Sequence, residues 1–136
     1  MKKRITSILI VDDDTDDQEL LQEAIQTVAP SVSWMVAING EEALKILQAP
    51  GAPLPDLIFL DLNMPRMNGK VFLGKIKQIN ALCQIPVIIY TTAKLEEDLK
   101  ETRRLGAEHF FTKPDSFDGI CQLVSSVLAL PPSVVV

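Results

Sequence analysis

The sequence predicts an α/β fold, a doubly wound sheet of five parallel strands in the order 2-1-3-4-5 with five helices over its two faces. Three observations carry this. Apolar runs and amphipathic stretches alternate five times along 136 residues, the pattern of repeated strand–helix units. The runs Ile8-Leu9-Ile10-Val11 and Leu57-Ile58-Phe59-Leu60 are uninterrupted, as in central strands buried on both faces. Finally, three runs end in charge: Asp12-Asp13-Asp14 follows the first, Asp61 the third, and Lys113-Pro114 the run His109-Phe110-Phe111-Thr112. In a parallel sheet those ends share one rim.

Taken in order, the first strand is read over 5–11. Leu20, Leu21, Ala24, Ile25 and Val28 then follow helical spacing, and Thr15 with Gln18 three residues on forms a capping box. Over 32–38 Val32, Trp34, Val36 and Ile38 alternate with other residues, as on an edge strand, and Asn39 with Glu42 starts the second helix. Pro50, Pro53 and Pro55 make a stiff surface loop. The third strand covers 57–61, and the third helix buries Phe72, Ile76 and Ile79. After a fourth strand at 86–91, the fourth helix buries Leu95, Leu99 and Leu105 and stops at Gly106. A fifth strand at 109–112 precedes a last helix burying Phe117, Ile120, Cys121, Val124 and Leu128. The tail 131–136 cannot continue that helix and is read as a frayed end. The expectation is a single domain over 1–136 with its core at about 5–130.

A hydrophobic share of 47% with 23% charged residues suits a compact domain. The net charge of −5 counts against direct nucleic-acid binding, which recruits basic faces. Cys83 and Cys121 lack metal-ligand spacing, and a chain of this size needs no disulfide. No apolar run approaches the roughly 20 residues of a membrane span, and Met1-Lys2-Lys3-Arg4 leads into a strand pattern, unlike a signal peptide. A cytoplasmic protein with protein or small-molecule partners is expected, without membrane attachment.

In open parallel sheets the ligand site lies beyond the carboxyl ends of the strands where strand order reverses, here between the first and third. Asp12, Asp13 and Asp61 converge there. Three carboxylates in one place either take up protons or bind a cation, and Mg2+ (or Mn2+) suits a few carboxylates plus water. Asp61, alone at the end of a buried strand, is the candidate nucleophile toward a phosphoryl group; Asp12 and Asp13 suit the metal. Thr91 offers a hydroxyl and Lys113 an ammonium to phosphoryl oxygens, the latter aimed by a cis bond to Pro114. Asp14, Asp16 and Asp17 are assigned to the helix start, Trp34 to packing, Arg103-Arg104 to a solvated face, and the lone His109 to no site.

Two other readings fail on particular residues. Asp12, Asp14, Asp16 and Glu23 occupy EF-hand ligand positions, but Asp17 stands where the loop needs glycine. Asp12-Asp13-Asp14-Thr15-Asp16 starts like an aspartate-based phosphatase motif and fails at its last position.

Four motifs occur in order: Val11-Asp12-Asp13, then Leu60-Asp61-Leu62-Asn63-Met64-Pro65-Arg66-Met67-Asn68-Gly69, then Pro86-Val87-Ile88-Ile89-Tyr90-Thr91-Thr92-Ala93, and Gly106-Ala107 through Phe110 to Lys113-Pro114. With them the chain resembles the receiver domain of two-component response regulators, from about Ile8 to Leu128. The resemblance implies a flavodoxin-like fold and a phosphoprotein rather than an enzyme, in which Asp61 accepts a phosphoryl group from a sensor histidine kinase. It further implies that Asp13, Asp61 and the backbone carbonyl of Asn63 ligate magnesium, with Asp12 acting through water. Thr91 then closes on the phosphoryl group and Phe110, which replaces a tyrosine found in many members, rotates inward. Asn63 and Ala93 fall where the family tunes phosphoryl lifetime. The implied output surface is the fourth helix, fifth strand and fifth helix, reaching a downstream protein, a histidine phosphotransfer protein or a second copy in a homodimer. The proline-bearing loop and Thr91-Thr92-Ala93-Lys94 with Glu96-Glu97-Asp98 resemble small stand-alone regulators, some partnered with bacterial phytochrome kinases. A pseudo-receiver, keeping the fold without the chemistry, is the alternative, with an aspartate-based phosphatase behind it.

Overall fold

A computed structural model describes residues 4–92 and 95–129; Ala93, Lys94 and the tail 131–136 lie outside them. The elements are β1 (Ser7–Val11), α1 (Thr15–Val28), β2 (Ser33–Ala37), α2 (Gly40–Leu47), β3 (Leu57–Leu60), α3 (Gly69–Lys77), β4 (Val87–Thr91), α4 (Glu96–Leu105), β5 (His109–Thr112) and α5 (Phe117–Ala129). The strands form one parallel sheet in the order β2-β1-β3-β4-β5, as the sequence predicts. Each strand is equal to or slightly shorter than its predicted span.

Alternation within the continuous apolar runs builds two cores. Leu9, Val11, Ile58, Leu60 and Ile89 face one side with Phe72, Leu73 and Ile76 of α3. Ile8, Ile10, Leu57, Phe59, Ile88 and Tyr90 face the other with Leu21, Ala24 and Ile25 of α1 and Ile120 and Val124 of α5. Each fully buried aliphatic or aromatic side chain contributes about 1.5–3 kcal/mol, so β1, β3 and β4 anchor the domain. Val11 is in register with Leu60, and Thr91 with Thr112. The next residues, Asp12, Asp61 and Lys113, therefore leave the sheet at its carboxyl rim.

The helix ends show where local chemistry decides. Asn39 caps α2 by accepting from the Glu42 N–H (2.8 Å), while the Glu42 carboxylate returns to the Ile38 N–H (3.2 Å). Gly106, at φ 107°, stops α4 in the left-handed conformation that glycine adopts freely. At α1 the expected Thr15–Gln18 box is replaced. Asp14 is the cap, accepting from the Asp17 N–H at 3.0 Å, because Gln18 is buried and its amide donates instead to the Asp12 carbonyl. At Gly69, a Cβ would strike the Asp61 carbonyl oxygen and approach the Leu62 Cα to 2.8 Å, so only glycine lets α3 start this close to the end of β3.

Two helices bury other residues than expected. Leu95 stands just before α4, at its N-cap position, where it makes no capping hydrogen bond and is exposed; Thr102 is that helix's buried side chain, its hydroxyl donating to the Asp98 carbonyl at 2.7 Å. In α5 the buried stripe is Ile120, Leu123, Val124 and Val127, at the spacing of one helix face. Phe117 lies exposed in its first turn. Among the described residues no helix is long and apolar enough to cross a membrane.

Candidate functional site

Asp12 follows β1 and is 3% exposed; Asp61 follows β3 and is 6% exposed. Ladder bonds hold both backbones, from the Asp12 N–H to the Ala37 carbonyl (3.0 Å) and from the Asp61 N–H to the Val11 carbonyl (2.9 Å). Asp13, the next residue, is exposed at the rim. Carboxylate oxygens of Asp12, Asp13 and Asp61 lie within 4.8 Å of one another. Hard oxygen donors, two sheltered and one open to water, match what a small divalent cation requires.

Two side chains converge on Asp61, from the ends of β4 and β5. The Thr91 hydroxyl, buried at the end of β4, donates to its Oδ1 at 2.8 Å; Thr92 is exposed. The Asn63 N–H reaches the same oxygen at 3.3 Å. Beyond β5 the Lys113 ammonium meets Asp12 Oδ2 at 2.8 Å and Asp61 Oδ2 at 3.5 Å. It does so over the buried Tyr90 ring, 5.7 Å from the centroid. The expected cis bond to Pro114 is absent, since no described peptide bond is cis. The lysine stem spans the distance from a trans bond.

Burial opposes the charged form of both members of the Asp12–Lys113 pair, with different outcomes. For Asp12 burial dominates and pushes the carboxyl up to about 6, against hydrogen bonds from Lys113 and the Asp14 N–H. Burial also opposes the Lys113 charge, but hydrogen bonds to Asp12 and Asp17 outweigh it and hold the ammonium above the ordinary lysine value. The lysine has several acids to lean on, whereas Asp12 shares one cation with other carboxylates. Burial raises the Tyr90 phenol to about 12.

Asp17, assigned from sequence only to the helix start, is the residue that reading missed. Its Oδ2 lies 2.7 Å from Lys113 Nζ. Phe110 lies apart from the carboxylates, half-buried on β5 opposite Ile89 and beside a small cleft lined by Leu99, Thr102, Ala107 and His109. A larger open cleft reaches the rim at Asp13, with Asn39, Lys45, Pro65 and Arg66 in its walls.

The family profile of the response regulator receiver domain matches residues 8–125. The chain belongs to this family. Receiver domains act in phosphorylation-based two-component signalling with sensor histidine kinases, and that is the role of this chain. It is 32% identical over 124 residues to the response regulator Rcp1 of Synechocystis, covering 88% of this chain and 84% of that protein. The crystal structure of the phosphorylated cyanobacterial phytochrome response regulator RcpA superposes with a TM-score of 0.85 at 29% identity, covering 95% of this chain and 99% of the other. The Mn2+-bound form of Rcp1 gives 0.82 at 30% identity, covering 96% and 97%. A divalent cation is the ligand that the donor set of the Asp12, Asp13 and Asp61 cluster fits.

Proposed function

We propose that Asp61 is the phosphoacceptor of this receiver domain and that Mg2+ supports the reaction. The observation that carries the reading is the convergence on one carboxylate: Asp61 alone meets the Thr91 hydroxyl, the Lys113 ammonium and the three-aspartate cluster. Asp12, Asp13, Asp61 and the Asn63 backbone carbonyl would hold the metal, Asp12 through water. When bound, Mg2+ supplies charge neutralisation at the phosphoryl oxygens as negative charge spreads over them.

The protein's own groups do the rest. An Asp61 oxygen forms the new bond to phosphorus as the bond to the donor imidazole breaks and the imidazole keeps the electron pair. Lys113 pairs with one phosphoryl oxygen. Thr91, now donating to Asp61 itself, transfers that hydrogen bond to another, and its movement frees space for Phe110 to turn inward. Signalling then leaves by α4, β5 and α5 to a downstream protein, a histidine phosphotransfer protein or a second copy. The domain catalyses only its own phosphorylation and dephosphorylation. Rcp1 and a phytochrome response regulator among its relatives support a phytochrome-type kinase as donor. We place the single domain, 1–136, in the cytoplasm, where such kinases present their phosphohistidine.

Incubation with Mg2+ and acetyl phosphate, followed by intact-mass measurement, tests the reading. The wild type gains one phosphoryl group, and Asp61→Asn gains none. Absence of uptake by the wild type, together with no beryllofluoride binding, would instead make the chain a pseudo-receiver.

A further inference from the structure

The Lys113 ammonium has three N–H donors, and three carboxylates surround it: Asp17 at 2.7 Å, Asp12 at 2.8 Å and Asp61 at 3.5 Å. Asp12 and Asp61 belong to the cluster able to hold a cation; Asp17 does not. The shortest contact is therefore to the one carboxylate that a bound cation leaves free. Asp17 is also held in place. Its N–H donates to the Asp14 cap, and the neighbouring Gln18 amide ties the same turn of α1 to the Asp12 carbonyl. With its side chain 30% exposed against 7% for Lys113, Asp17 sits on the outer side of the ammonium.

We propose that Asp17 is a positioning residue that keeps Lys113 on the α1 side of the rim while a divalent cation takes Asp12 and Asp61. Two cations sharing one acidic pocket repel, and each competes for the same oxygens. A carboxylate outside the metal set gives the ammonium somewhere to lean, so metal and lysine coexist. This rests on the metal reading above.

Calorimetric titration of the metal-stripped chain with MgCl2 tests it, using wild type, Asp17→Asn, Lys113→Met and the double variant. An intact positioning role makes Asp17→Asn weaken Mg2+ binding about fivefold when Lys113 is present, the size of a part-exposed ion pair. In the Lys113→Met background the same change shifts affinity less than about twofold. Asp17→Ser, which keeps a residue suited to a helix start, should repeat the pattern if Asp17→Asn folds poorly. An equal loss in both backgrounds, or none in either, overturns the proposal and leaves Asp17 as a long-range charge or a helix-start acid. A wild type that binds no Mg2+ overturns the metal reading and this inference together, whereas wild-type binding that Asp17→Asn leaves unchanged removes the role of Asp17 alone.

Discussion

The rim at β1 and β3 and the face made by α4 and β5 are built on opposite terms. β1, β3 and β4 are buried almost throughout, and α3 sends Phe72, Leu73 and Ile76 into their core. The residues of β5 are half-buried or exposed, and α4 fully buries only a threonine, with Leu99 and Leu105 half-buried and its other side chains mostly charged. Packed cores do not deform gradually, while sparsely buried elements open at low cost. The carboxylates of Asp12 and Asp61 therefore stand on the first region, whereas Lys113 leaves β5, in the second, and reaches back to them.

Truncating the dense half should have the largest effect. Phe72→Ala removes a fully buried ring and is expected to cost about 3–5 kcal/mol in urea unfolding. Leu99→Ala, on the half-buried face of α4, is expected to cost well under half of that; equal losses would erase the contrast. Metal removal comes next. At a hundredfold excess over its dissociation constant a divalent cation bound to the native rim would add about 2.7 kcal/mol, so chelation should lower the thermal midpoint and raise hydrogen exchange at the ends of β1 and β3 first. Gly69→Ala follows, at about 1–3 kcal/mol of overpacking. Because its new methyl group presses on the Asp61 backbone, it should also impair beryllofluoride binding, which a purely global loss of stability would not do in the still-folded protein.

How far the sequence alone reaches depends on whether a feature is local. β1 and β3 are readable because burial on both faces demands an unbroken apolar run, and the Asn39–Glu42 start because its partners are three residues apart. The cap of α1 is not. Asp14 and Thr15 are both competent caps, and the choice follows from Gln18 turning to the Asp12 carbonyl, a tertiary contact. Asp17 and Lys113 are 96 positions apart, so no spacing announces their pairing; the only signal is an acid in the first turn of a helix, which has an ordinary explanation. In α4 the leucines follow helical spacing, yet Leu99 and Leu105 are only half-buried and Leu95 falls at the cap, outside the helix, and is exposed. Periodicity gives the side that faces inward and leaves open how deeply it sinks.

The smallest expected change concerns the link between the two regions. Lys70, in the first turn of α3 just beyond the loop that follows Asp61, bonds Asp98 at 2.5 Å and Glu101 at 3.0 Å on α4. Hydrogen bonds to these two acids raise its pKa above the usual lysine value. The three side chains remain partly exposed, so the pairs are screened and Lys70→Met should shift global stability by less than about 1 kcal/mol. Its local effect should be larger, because α4 has few buried apolar side chains to hold it once the ion pairs are gone. Hydrogen exchange should therefore quicken in α4 while α3 and β3 keep their protection. If exchange instead rose equally in both helices, α4 would be part of the same cooperative unit as the rim, and the contrast between the two regions would be lost.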